Sequence, residues 1–258
     1  MLYRAKAYLN YRLKARGNHY IHSPFVFELT EKVFKDERRF YAFELIELLR
    51  HKLLASKESI EVTDYGAGSH KGKHKTRSIH EITKNAGIAP KYGQFLFRLV
   101  HHLKPKVLLE MGTSFGLSTL YQANAAINSK VITIEGCPQT ADIARNSFDF
   151  LKTTNIQLEV GPFVDVLPSI LKANPSLDYV YLDGHHEEQA TLDYFEILLP
   201  HLHNDSVVVL DDIHWSAGMN SAWNQIRNRP EVTVSINYFQ IGLLFFRKEQ
   251  VKEHFVLL

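Results

Sequence analysis

From Lys106 onward the chain alternates short β-branched or leucine runs with stretches of helical spacing. The runs are VLLEM (107–111), VITIE (131–135), IQLEV (156–160), YVYLD (179–183) and VVVLD (207–211). Apolar runs this short and continuous predict strands buried on both faces, as in a parallel sheet covered by helices. The segments between them are long enough for crossover helices. The tail departs from this rhythm: VTVSINY (232–238), FQIG (239–242) and LLFFR (243–247) predict an antiparallel hairpin, which brings the expected count to seven strands.

Residues 1 to about 104 have a different texture, rich in aromatics, His and Lys. SPFVFELTEKVF (23–34) and FYAFELIELLRHKLL (40–54) have helical spacing, and Ser23-Pro24 supplies a start signal for the first. A further helix is expected over about Tyr92–Leu103. Between Lys57 and Asn85 the pattern fails, and a loop with little regular structure is expected. The chain therefore divides into a helical N-terminal extension or lid (1–104), with a basic loop near 62–77, and an α/β domain (105–258).

Composition narrows the class. With 258 residues, 45% of them hydrophobic, the chain can bury a full α/β core. A net charge of +2 supplies no general field for nucleic acid. The lone Cys137 excludes an intrachain disulfide framework and fits a reducing compartment. No apolar run approaches the roughly 18 residues a membrane span needs. The first 17 residues lack the continuous apolar segment of a secretory signal, so a cytoplasmic protein is expected.

In an open α/β sheet, ligands bind beyond the carboxyl ends of the strands. Those ends here carry Glu110, Glu135, Asp183 and the pair Asp211-Asp212, with Gly112-Thr113-Ser114-Phe115-Gly116-Leu117-Ser118 after the first. So many carboxylates at strand ends need a cationic or hydrogen-bonding partner. The glycine spacing differs from the dinucleotide fingerprint G-x-G-x-x-G, which disfavours NAD. Glu110 would repel a pyrophosphate but could bind an ammonium, and Glu135 could accept both hydroxyls of a ribose. These features suit a cofactor with a ribose, a positive or zwitterionic part and no phosphate, as in S-adenosylmethionine. An earlier glycine stretch, DYGAGS (64–69), lacks βαβ context and is not expected to bind the cofactor. The Lys71, Lys73, His74, Lys75 and Arg77 that follow it form a basic loop that could cover an anionic substrate.

VLLEMGTSFGLSTL, Glu135 after VITI, VYLDGHH and VVLDDIHW together resemble class I S-adenosylmethionine-dependent methyltransferases, nearest the catechol and caffeoyl-coenzyme A type O-methyltransferases. The resemblance covers about residues 91–248. It implies a Rossmann-like sheet of order 3-2-1-4-5-7-6 with the last strand antiparallel and helices on both faces. It implies cofactor binding by Glu110, Gly112, Thr113, Ser114, Gly116, Ser118, Glu135, Gly136 and Asp183. It further implies a divalent metal, Mg²⁺ or another hard cation, on Asp183, Asp211 and Asp212, lowering the pKa of an acceptor hydroxyl. The family's general base is a Lys three residues after Asp183; that position here is His186, and the family's Asp-Asn pair is Asp-Asp. The implied partner is a small-molecule acceptor, a homodimer is allowed, and nucleic acid is disfavoured because no N-P-P-[YF] motif is present. The alternatives are a nucleic-acid methyltransferase using the basic loop and a non-catalytic cofactor-binding protein.

Overall fold

In the computed structural model, residues 2–15, 21–64 and 73–258 are described. The N-terminal elements are α1 (Leu2–Lys14), α2 (Pro24–Leu29), a π-helical turn at Thr30–Phe34, and α3 (Tyr41–Ala55). They are followed by β1 (Ser59–Asp64), β2 (Lys73–Ser78), α4 (Ile79–Ala86) and α5 (Pro90–Leu103). The alternating part then runs β3 (Val107–Met111), α6 (Leu117–Ala125), β4 (Lys130–Glu135), α7 (Pro138–Leu151), β5 (Ile156–Val160) and α8 (Phe163–Ala173). It continues with β6 (Leu177–Leu182), α9 (Glu188–Leu198), β7 (Leu202–Leu210) and α10 (Ala217–Arg227). The tail is β8 (Val234–Tyr238), β9 (Ile241–Phe245) and β10 (Glu253–Val256).

The chain forms two units, Met1–Phe27 with Ala173–Leu258, and Glu28–Lys172. The second holds β3, β4 and β5, all parallel, with β4 in the middle. Val131, Ile132 and Ile134 on β4 have no exposed surface, as a strand covered on both faces requires. Gly93 lets α5 approach α6 closely, since a Cβ there would lie 2.3 Å from the Tyr121 ring. The first unit holds β6 parallel to β7, then β9 antiparallel to both β7 and β8. This is the expected terminal hairpin, inserted with its second strand inward.

Two expectations are corrected. The mainly parallel sheet has eight strands, not seven, because β10 adds parallel to β8 at the edge. Its four residues, EHFV, are too short and too polar to signal a strand, and its pairing with β8 supplies what its composition does not. Residues 57–64 and 73–85, where little regular structure is expected, instead carry a hairpin and a helix. β1 and β2 pair antiparallel from Ser59↔Ser78 to Asp64↔Lys73, and α4 follows directly. Ser78 starts that helix by accepting the Glu81 N–H at 3.1 Å, the S-x-x-E capping signature. The hairpin is held against α7, where the Glu61 N–H donates to Gln139 at 2.7 Å and the Thr63 N–H meets Cys137 Sγ at 3.3 Å.

Lys75 and Arg77 of the expected basic loop therefore lie on strand β2. Lys71, the Tyr65–Ser69 part of DYGAGS, and the side chains of Lys73 and His74 lie outside the described residues.

Candidate active site

In the second unit, β3 ends in a loop that turns back into α6, and its backbone requires glycine. Gly112 and Gly116 have φ of 111° and 80°, and Ser114 takes the left-handed region at 49°. A Cβ on Gly116 would lie 2.4 Å from the Phe148 ring. Gly116→Ala should accordingly cost about 2 kcal/mol or more of stability, from left-handed backbone strain and overpacking together. Denaturant unfolding of the variant checks this; a midpoint equal to wild type contradicts it.

The loop is aimed at Glu135, which ends β4. The Ser114 N–H donates to Glu135 Oε2 at 2.8 Å and the Cys137 N–H to Oε1 at 2.9 Å, with the Gly136 N–H also directed to it. Burial nevertheless pushes the carboxyl up to about 7, outweighing those donors, and nearby Glu110 pushes the same way. Three backbone donors leave at least one of the carboxylate's roughly four acceptor sites open to a ribose hydroxyl.

Glu110 is placed differently from the expectation. It has no exposed surface, and its carboxylate accepts from Thr119, from Thr133 at 2.6 Å and from Gln122 at 2.8 Å. Burial raises its pKa despite these donors. From this position its carboxylate ties β3, β4 and α6 together beneath the loop. Thr113, also without exposed surface, joins this network through Thr133 at 2.6 Å. Ser118 is 5% exposed on the first turn of α6. Thr119, Thr133 and Gln122 were not singled out from sequence. Their signal was present as polar residues at helical spacing on α6 and at mid-strand in an otherwise apolar β4.

In the first unit, the ends of β6 and β7 come together. Tyr181 lies between two carboxylates, its hydroxyl 2.9 Å from Asp211 Oδ2 and 3.2 Å from Asp183 Oδ2. His186 Nε2 is 3.6 Å from Asp183 Oδ1. Asp211 is buried, and its Oδ1 accepts the Asp212 N–H at 2.8 Å. Burial and the charge of Asp211 push Asp212 up to about 6, opposed by His186 and by Arg4, whose guanidinium is 3.9 Å away. Arg4 also lies over the exposed Trp215 ring, 5.1 Å from its centroid. His185 and Asp212 hold φ of 62° and 51°, left-handed values that cost a non-glycine residue about 1–3 kcal/mol and concentrate at functional sites.

The basic side chains beside these acids, among the described residues, are thus Arg4 and His186. Among the described residues no three His, Cys, Asp or Glu side chains are grouped to hold a metal ion. The expected metal set lies together at these strand ends: Asp183 and Asp211 share the Tyr181 hydroxyl, and Asp212 is 3.9 Å from the Arg4 guanidinium. No step below is routed through a metal. Tyr181 was legible in principle, since residues two apart on a strand share a face and Asp183 follows it by two. Arg4, some 200 residues away in sequence, was not.

Among the aromatic residues, Phe25 packs edge-on to Phe245 and Phe95 against Phe34. Phe239 meets Tyr8, Tyr11 and His214.

A methyltransferase-domain family model matches residues 109–213, which includes the loop, Glu135, Asp183, His186 and the Asp211-Asp212 pair. The chain is 29% identical over 143 residues to the catechol O-methyltransferase of Niastella koreensis, covering 54% of this chain and 63% of the relative. It is 27% identical over 134 residues to the catechol O-methyltransferase of Mycobacterium tuberculosis, covering 51% and 59%. It thus spans less than two thirds of the length of either relative. The crystal structure of an O-methyltransferase from Bacillus cereus in complex with SAH aligns over 84% of this chain and 95% of that one, with a TM-score of 0.55 at 17% identity. By domain, relatives and fold together, residues 109–213 match a methyltransferase domain and the chain is similar to class I S-adenosylmethionine-dependent O-methyltransferases.

Proposed function

We propose that the protein transfers the methyl group of S-adenosylmethionine to a hydroxyl oxygen of a small, aromatic or otherwise hydroxylated acceptor. The observation that carries this is the cluster at the β6 and β7 ends, in which Asp183 lies 3.6 Å from the His186 ring beside two further carboxylates. A partly exposed imidazole oriented by a carboxylate is suited to take a proton from an acceptor hydroxyl. The hydroxyl proton passes to His186 Nδ1, the ring nitrogen that does not face Asp183, as the oxygen forms its bond to the methyl carbon. The carbon–sulfur bond breaks, and its electron pair stays on sulfur as S-adenosylhomocysteine leaves. Negative charge around His186 stabilises the imidazolium that results. On the cofactor side, Glu135 accepts the ribose hydroxyls, and the loop from Gly112 to Ser118 receives the methionine end. Glu110 supports that loop from within.

The acceptor class rests on the relatives' names, two catechol O-methyltransferases, and on the absence of a phosphate-type glycine fingerprint. A cytoplasmic setting follows the composition; no described helix is long and apolar enough to cross a membrane. The test is transfer of isotope-labelled methyl to a panel of catechols, hydroxycinnamates and hydroxybenzoates, with a chelator present throughout. Label should enter only acceptors with a free hydroxyl and should persist in chelator. Transfer to RNA or amines alone contradicts the acceptor class, and transfer abolished by chelator contradicts the His-based route.

A further inference from the structure

A cavity of about 320 Å³ opens in the first unit, away from the carboxylates, between α1, α10 and the β8 and β10 strands. Its lining is one-sided in charge. Lys6, Lys14 and Arg227 contribute to it, with His214, Trp223 and four asparagines, and no Asp or Glu is among the described residues that line it. α1 builds one wall by helical periodicity: Tyr3, Ala7, Asn10 and Lys14 fall on one stripe and face the cavity. The adjoining stripe does different work. Arg4 reaches Asp212, while Tyr8 and Tyr11 pack on Phe239 at ring-centroid distances of 4.9 and 5.3 Å. The cavity is therefore separate from the acid cluster, although one helix serves both.

Arg227 is the informative residue. It is half-buried, and its Nε has no hydrogen-bond acceptor among the described residues. No carboxylate pairs with it, nor with Lys6 or Lys14, among the described residues. Burial lowers its pKa, and its charge in turn helps hold His254 low, to about 4. A buried guanidinium left without an acid is costly, and three cations in one concavity repel each other. An anion with several oxygens removes both costs, because a guanidinium fork binds such a group through paired N–H donors. The asparagines add to this. Asn237 and Asn220 hold His214 at 2.9 Å each, fixing the floor, while the Asn10 amide on α1 stays available to a ligand.

We propose that this cavity is a binding site for a small dianion, a phosphate monoester or a dicarboxylate, held by Arg227 at its base and Lys6 and Lys14 at its rim. Trp223 and Tyr11, 2% and 7% exposed, form an apolar wall for the body that carries the charge.

The experiment is calorimetric titration of the full chain with inorganic phosphate, phenyl phosphate and succinate, at constant ionic strength set with chloride. The variants are Arg227→Gln and the double variant Lys6→Gln/Lys14→Gln. Saturable one-to-one binding is expected for at least one probe, weakened about tenfold or more in each variant, the usual effect of losing a charge-assisted hydrogen bond. S-adenosylhomocysteine affinity should stay at the wild-type value in both, which shows that they are folded. Binding of the two phosphates alone identifies a phosphate site, and binding of succinate alone a dicarboxylate site. No saturable binding of any probe, or binding unchanged in the lysine variant, overturns the proposal. The lysine positions are exposed on α1, so that arm answers even where Arg227→Gln fails to fold.

Discussion

Replacing His186 by alanine is expected to lower methyl transfer by roughly 10²–10⁴-fold, the usual contribution of a positioned general base. The loss should shrink as pH rises, because an acceptor phenol then ionises without help. Affinity for S-adenosylhomocysteine should not change, since the ring is placed by Asp183 and belongs to the acceptor chemistry. Asp183→Asn separates orientation from proton uptake. It leaves a hydrogen-bonding partner for the ring but removes the charge that stabilises the imidazolium, so turnover should fall with little effect on cofactor affinity. Steady-state rates measured across pH 6 to 10 check both variants. A His186→Ala enzyme with wild-type turnover at neutral pH would remove His186 from the mechanism.

Glu135 carries the second large effect. Glu135→Ala should weaken binding of S-adenosylmethionine by about 1–3 kcal/mol, the range for hydrogen bonds to a charged group. Binding should also depend on pH. Burial raises this carboxyl to about 7, so in the free protein it takes up a proton as pH falls through that value. Ribose hydroxyls donate to the ionised form, so affinity should be full above pH 7 and decline by up to about tenfold per unit below it. Folding stability runs the other way. The folded state holds this proton more tightly than the unfolded chain, so the stabilisation is fully present below the ordinary carboxylate pKa. It is lost as pH rises through about 7. Glu135→Gln should flatten the affinity profile while leaving Asp212, raised to about 6, to titrate as before. A wild-type affinity that is flat from pH 5.5 to 8.5 is incompatible with this role.

β3, β4, β6 and β7 were legible because each is a short, largely buried apolar run at or beside an acid, and burial on both faces leaves no alternation to obscure it. The hairpin at 232–245 was legible for the same reason. What failed to show was structure stabilised from outside itself. β2, KHKTRS, has no apolar residue and is a strand because β1 pairs with it residue by residue and α7 holds β1. β10 depends on β8 in the same way. At the site, sequence position marked which residues stand at the strand ends. It could not mark what each one faces. Glu110 and Glu135 stand near the carboxyl ends of β3 and β4, yet Glu110, level with Thr133, is enclosed by Thr119, Thr133 and Gln122, while Glu135 is bound by backbone N–H groups at the loop. Asp212 likewise has Arg4 beside it, brought from the first helix. Side-chain surroundings of this kind arise from tertiary packing and leave no local periodicity to read.

The central claim is that Glu135 and the Gly112–Ser118 loop form a cofactor site for a nucleoside sulfur compound. Calorimetric titration of the full chain with S-adenosylhomocysteine, run beside NAD and repeated on Glu135→Ala, tests it most directly. The account predicts one saturable site for S-adenosylhomocysteine, a clear loss of affinity in the variant, and no saturable heat with NAD. Tight NAD binding with no heat from S-adenosylhomocysteine, or S-adenosylhomocysteine binding unaffected by the loss of Glu135, would contradict it.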